Sequence, residues 1–125
     1  MALLGNTGIT QALNSLDATA AGTNIVAFVA LHTATTGTTG TNETANSGSY
    51  ARQACTWNAS SAGSAKTNST ALTFSTLGTV AVTHCAGWSS GTYAGGTFGI
   101  GAALGASVTA ASITIASAAI SLTAT

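Results

Sequence analysis

The chain has 125 residues and a mass of 12.0 kDa, yet only 3% of its residues are charged and its formal net charge is zero. One domain is the natural reading of that length, and two Lys or Arg residues are too few for the phosphate contacts of a nucleic-acid binder or for anchoring to anionic lipid. A mean hydropathy of +0.44 excludes the weakly hydrophobic, strongly charged composition of disorder, while the missing charge predicts that sister copies or partners cover much of the surface.

Residues 6–18 space Ile9, Leu13 and Leu16 as one face of a short amphipathic helix, with Asn6 or Thr7 as N-cap. Such a helix is marginal alone and is expected to pack on a sheet or a neighbouring subunit. Met1-Ala2-Leu3-Leu4-Gly5 lacks the basic and apolar regions of an export signal. The apolar run over residues 25–31 is far shorter than the roughly 20 residues that span a bilayer, so no membrane partner and synthesis in a cytoplasm are expected.

Residues 24–33 form the strongest strand candidate, and because they are apolar on both faces they predict a central strand. A Gly/Thr/Asn/Ser loop follows over residues 34–49, long enough to suggest a functional role or ordering by a partner. Residues 50–58 alternate as a strand, residues 59–69 read as a turn of small residues, and residues 70–74 place Leu72 and Phe74 on one face. Residues 79–88 predict another strand, residues 89–96 a turn and residues 97–104 a Gly-rich strand. Two last strands, carrying Ile113 and Ile115, then Ile120 and Leu122, are expected to join around Ser117. The fold class expected is all-β: a single β-sandwich or jelly-roll-like domain over residues 23–125, behind a helical N-terminal segment over residues 1–22.

Catalysis needs positioned acids, bases or nucleophiles, and none is legible. His32 and His84 sit beside threonines outside any metal-ligand spacing and read as structural. Cys85 and His84 are adjacent on a strand and point to opposite faces. Asp17 and Glu43 have no surroundings that would make them a glycosidase pair. No enzyme, no metal and no cofactor are therefore expected.

Glu43 and Arg52 bracket the long loop with opposite charges. They are either solvated separately or form an ion pair that pins the loop or crosses a subunit interface, and the scarcity of charge favours the pair. Cys55 and Cys85 read as buried thiols that stay reduced, with a disulfide as the alternative should their strands be neighbours. Trp88 and Tyr93, beside a turn, form the alternative to core packing: a stacking platform for a glycan. The sequons at Asn42, Asn58 and Asn68 are expected by chance in so Asn-, Ser- and Thr-rich a chain.

The order of several short strings carries a resemblance. These are Leu31-His32-Thr33-Ala34, Gly37-Thr38-Thr39-Gly40, Asn42-Glu43, Tyr50-Ala51-Arg52-Gln53-Ala54 with Thr56-Trp57, Val82-Thr83-His84, Gly87-Trp88 and Gly95-Gly96-Thr97-Phe98. Together they resemble small virion proteins of tailed bacteriophages, especially those of actinobacteria, variously labelled head-decoration, minor tail or tail fibre proteins. The chain departs from that pattern at Thr35-Thr36 and Ser89-Ser90, where acidic residues are common. The resemblance implies a non-enzymatic structural protein on the virion surface, assembled in the host cytoplasm. A compact domain of this size favours capsid decoration, and the resemblance implies a homotrimer that contacts the major capsid protein. The alternative is a minor tail or tail fibre protein with a receptor- or glycan-binding role.

Overall fold

The most β-branched and aromatic run of the chain becomes an inner strand of its main sheet. In the computed structural model, which describes residues 24–44, 50–59, 65–75, 77 and 79–122, β1 (Phe28–His32) lies between β2 (Gln53–Ala54) and β5 (Ala81–Trp88). The sheet order is β2-β1-β5-β6, with β6 spanning Phe98–Thr109, and every pairing is antiparallel. Two ribbons complete the described fold: β3 (Lys66–Thr67) with β8 (Ser121–Leu122), and β4 (Leu72–Ser75) with β7 (Ser112–Ile115). The described residues are thus all-β, and the helix expected over residues 6–18 lies outside them.

Alternation explains how these strands share a core. β4 buries Leu72 and Phe74 and exposes Thr73 and Ser75, and the register sets Leu72 opposite Ile115 and Phe74 opposite Ile113. On the outer face of the same ribbon, the Thr73 and Thr114 hydroxyls lie 3.1 Å apart. The buried faces of β4 and β7 join Val29, Leu31, Val82 and Cys85 of the main sheet in one apolar cluster, to which Tyr50, Cys55 and Leu77 also belong. Phe74 is fully enclosed there, and truncating such a residue to alanine typically costs about 3–5 kcal/mol. The opposite face of the main sheet holds a second cluster, where Ala30, Ala86 and Trp88 meet Phe98.

Two irregularities shape β6. Val82 faces Val108 but His84 faces Ala103, and Gly87 faces Ile100 but Trp88 faces Phe98, so β6 carries the extra residues at both places. At the second bulge, a side chain on Gly99 would run into the Ile25 carbonyl, which is why only glycine fits that close backbone approach. β6 continues to Thr109, past residues 97–104 that sequence alone assigns to this strand.

The long loop orders itself where it is described. Thr33 N–H donates to the Asn42 carbonyl at 2.9 Å, Thr41 N–H to the Thr36 carbonyl at 2.9 Å and Thr44 N–H to the Leu31 carbonyl at 2.8 Å. Residues 33–44 therefore fold back along β1 through the chain's own backbone bonds. Gly40 supplies the left-handed turn at φ 73°, and its missing side chain leaves room for the Trp88 and Phe98 rings.

Candidate functional site: a buried arginine that ties two loops

The ionic residues that bracket the long loop meet at its base. Arg52 Nε donates to Glu43 Oε1 at 2.7 Å and Nη2 to Glu43 Oε2 at 2.6 Å, a bidentate pair. The remaining terminal nitrogen, Nη1, donates to the Ser90 carbonyl at 2.8 Å and the Gly95 carbonyl at 2.9 Å. The guanidinium carbon also lies 4.0 Å from the centroid of the Trp88 ring. The Arg52 and Glu43 side chains are 0% and 7% exposed, so water does not share these contacts.

Each partner is positioned by its element. Glu43 stands opposite His32 in an isolated antiparallel bridge, which fixes it beside the end of β1. The loop over residues 89–97 is closed by Ser89 N–H donating to the Thr97 carbonyl at 3.0 Å and by Gly95 N–H donating to the Thr92 carbonyl at 3.0 Å. That closure turns two carbonyls inward, and Arg52 reads both. One side chain thereby fastens the loop after β1 to the loop after β5.

A second set of contacts backs the first. His32 is fully buried, its Nδ1–H donates to the Thr41 carbonyl at 2.8 Å, and its Nε2 faces the Trp88 indole N–H at 3.5 Å. The two rings lie within 4° of parallel, and Phe98 meets Trp88 edge-on at 5.5 Å between centroids. Burial lowers the His32 pKa from its ordinary 6.5, against the opposing pull of the Thr41 carbonyl and Glu43. Tyr50 supports β1 from the other edge by accepting the Leu31 N–H at 2.9 Å, and burial raises its pKa to about 12.

Asn68 has the same logic in the lower ribbons. Its amide donates to the Thr70 carbonyl at 2.8 Å and the Ala116 carbonyl at 2.9 Å, while its carbonyl accepts the Ile120 N–H at 2.8 Å. Fully buried, it fixes the turn between β7 and β8 and offers no glycosylation site. Lys66 is 2% exposed, with Nζ donating to the Asn58 carbonyl at 3.2 Å.

Other candidate residues fall elsewhere. Trp88 is 6% exposed and covered by Arg52, so it cannot join the 40%-exposed Tyr93 in a stacking platform; the strand end that carries it faces inward. Cys55 and Cys85 form no disulfide with each other. They flank β1 at Ala27 and Leu31, about 13 Å apart along the strand and on opposite sides of it, beyond disulfide reach. Burial raises the Cys85 thiol pKa, which keeps it protonated.

A cleft of about 210 Å³ opens between the main sheet and β8, lined by Val29, Trp57, Cys85, Gly87, Ile100 and Leu122 among others. It carries no charged side chain. Among the described residues no three of His, Cys, Asp and Glu gather as metal ligands. What the buried polar groups do is hold backbone: each of Arg52, His32, Tyr50 and Asn68 is committed to a carbonyl or N–H of a loop or strand edge.

A family model described as podophage GP4 fiber I protein gp80 matches residues 4–124, nearly the whole chain. No curated protein and no solved structure is matched.

Proposed function

The chain belongs to the podophage GP4 fiber I protein gp80 family, a family of bacteriophage virion proteins, and on that premise we propose that it is a non-enzymatic building block of the tail fibre. The family name favours the tail fibre alternative over capsid decoration and speaks for a phage virion protein without bearing on an actinobacterial host. The observation that carries the reading is the match over residues 4–124.

The geometry supports a structural role. Arg52 directs its donors to Glu43, Ser90 and Gly95, which leaves it no position from which to act on a substrate. A fibre experiences mechanical load and dilution into varied media. A clamp made of buried, bidentate contacts is little screened by salt and suits that setting. Copies of this chain and other fibre chains are its proposed partners, at the surface of the particle. Two layers of β-structure packed through the shared core, sandwich-like, are the proposed architecture of the whole domain.

Deleting the gene from a phage that encodes this chain tests the reading. The expected particles have intact, DNA-filled heads, lack fibre density and adsorb poorly to their host. Heads that leak or fail to package, on particles that retain normal fibres, overturn it.

A further inference from the structure

The chain has two carboxylate side chains, Asp17 and Glu43, and two basic ones, Arg52 and Lys66. Glu43 and Arg52 hold each other through both carboxylate oxygens. Lys66 is 2% exposed, and burying an ammonium is costly unless a carboxylate and hydrogen bonds compensate it. The carboxylate side chain left to match it is Asp17.

Lys66 stands beside the apolar cleft. In the β3–β8 ribbon it faces Leu122, and residues directly opposite on antiparallel strands turn their side chains to the same face. Leu122 lines the cleft with Trp57, Ile100 and Ile120, and Lys66 Nζ donates to the carbonyl of Asn58, the residue after Trp57. The start of the described chain arrives at the same place. The Val26 side chain fills the space that a Cβ on Gly87, in the cleft wall, would need, and the Val26 carbonyl accepts the Trp57 indole N–H at 2.9 Å. Asp17 precedes Val26 by nine residues, a reach of up to about 30 Å.

We propose that residues 9–17 of the chain lie over this cleft, with Leu13 and Leu16 against its apolar wall and the Asp17 carboxylate on the Lys66 ammonium.

Sequence, charge and tether select this segment as the occupant. Of the stretches outside the described residues, only residues 1–23 carry large apolar side chains; residues 45–49, 60–64, 76, 78 and 123–125 are all Ala, Asn, Gly, Ser or Thr. Helical spacing sets Asp17 one turn beyond Leu13 on the stripe that Ile9 begins, so an acid ends the apolar face just as Lys66 borders the apolar cleft. The dipole disfavours a carboxylate in the last turn of a helix, and an ammonium placed there offsets both. A short tether also holds the chain's own segment at a high effective concentration, ahead of a sister copy's.

This concerns the isolated full-length chain and stands or falls apart from the fibre reading. The test compares Asp17→Asn, Lys66→Met and the double variant by urea denaturation, with amide exchange on the wild type and on Asp17→Asn. Breaking the buried pair from one side should raise the unfolding equilibrium constant on the order of a hundredfold. The double variant should raise it by clearly less than the product of the two single effects. In the wild type the amides of residues 13–17 should be protected at every protein concentration, and Asp17→Asn should lose that protection while β1 keeps its own. The wild-type exchange pattern decides the matter even where Lys66→Met fails to fold. Residues 13–17 that exchange like an unfolded peptide, single effects that simply multiply, or protection that appears only as concentration rises, the mark of a segment donated by a second copy, overturn the proposal.

Discussion

Arg52→Ala is the substitution whose cost the fold fixes most tightly. It removes both bonds to Glu43 and those to the Ser90 and Gly95 carbonyls, and it leaves the Glu43 carboxylate 7% exposed with no counter-charge. Breaking a buried pair from one side typically costs about 3–5 kcal/mol, because a desolvated charge is stranded. Against the roughly 5–15 kcal/mol that holds a domain together, that is a large share of the total stability. Equilibrium denaturation in urea measures it as a shift in midpoint at unchanged slope. Glu43→Ala and the double variant complete a cycle, and the double should cost clearly less than the two singles summed, with a coupling of at least about 2 kcal/mol. Raising the salt should leave the coupling almost intact, since water does not reach between the groups. A cost under about 1 kcal/mol, additive singles, or a coupling that vanishes in salt would make the pair an ordinary surface ion pair and refute the clamp.

His32 binds its proton more readily unfolded than folded, so stability should fall as the pH drops below about 6.5; the titrating and charged groups that face it are Glu43, Arg52 and His84. Midpoints measured across that range should slope less in His32→Gln than in the wild type. Tyr50 is the converse case: unfolded it ionises near pH 10 and folded only near 12, so stability should decline between those values, by something of the order of 2 kcal/mol. Tyr50→Phe should lose that alkaline decline and, by orphaning the Leu31 N–H, cost about 1–3 kcal/mol at neutral pH in a thermal melt. Gly40→Ala should be far worse than Gly105→Ala, since the former drives a methyl into the Trp88 and Phe98 rings while the latter meets open space and bears only the left-handed penalty of about 1–2 kcal/mol. Asn68→Asp should destabilise more than Asn68→Ala in the same assay, because a carboxylate would face the Thr70 and Ala116 carbonyls.

Strands rich in β-branched and aromatic residues were readable from sequence because their apolar pattern is their packing. β1 and β5 fall inside the runs predicted for them, β4 runs one residue past its own to Ser75, and the turn around Ser117 stands between β7 and β8. The Glu43–Arg52 pair was legible for a different reason: a chain with so few charges gives each of them few choices. What sequence does not carry is the identity of backbone partners. Nothing in the letters of Arg52, Asn68 or Tyr50 names Ser90, Gly95, Ala116 or Leu31, because every residue offers the same carbonyl and N–H. β3 and Asn68 were hidden for that reason inside a stretch of small residues that reads as a turn. Trp88 adjoins a turn, which makes a surface platform one reading of the sequence, yet the cation that covers it comes from residue 52, far away in sequence.

The placement of the chain on the particle is the measurement that bears most directly on its function. Gold-labelled antibody against this chain, imaged on intact phage by electron microscopy, should decorate the tail fibres and leave the head bare. Label spread over the head shell, with unlabelled fibres, would contradict the fibre assignment and return the chain to capsid decoration.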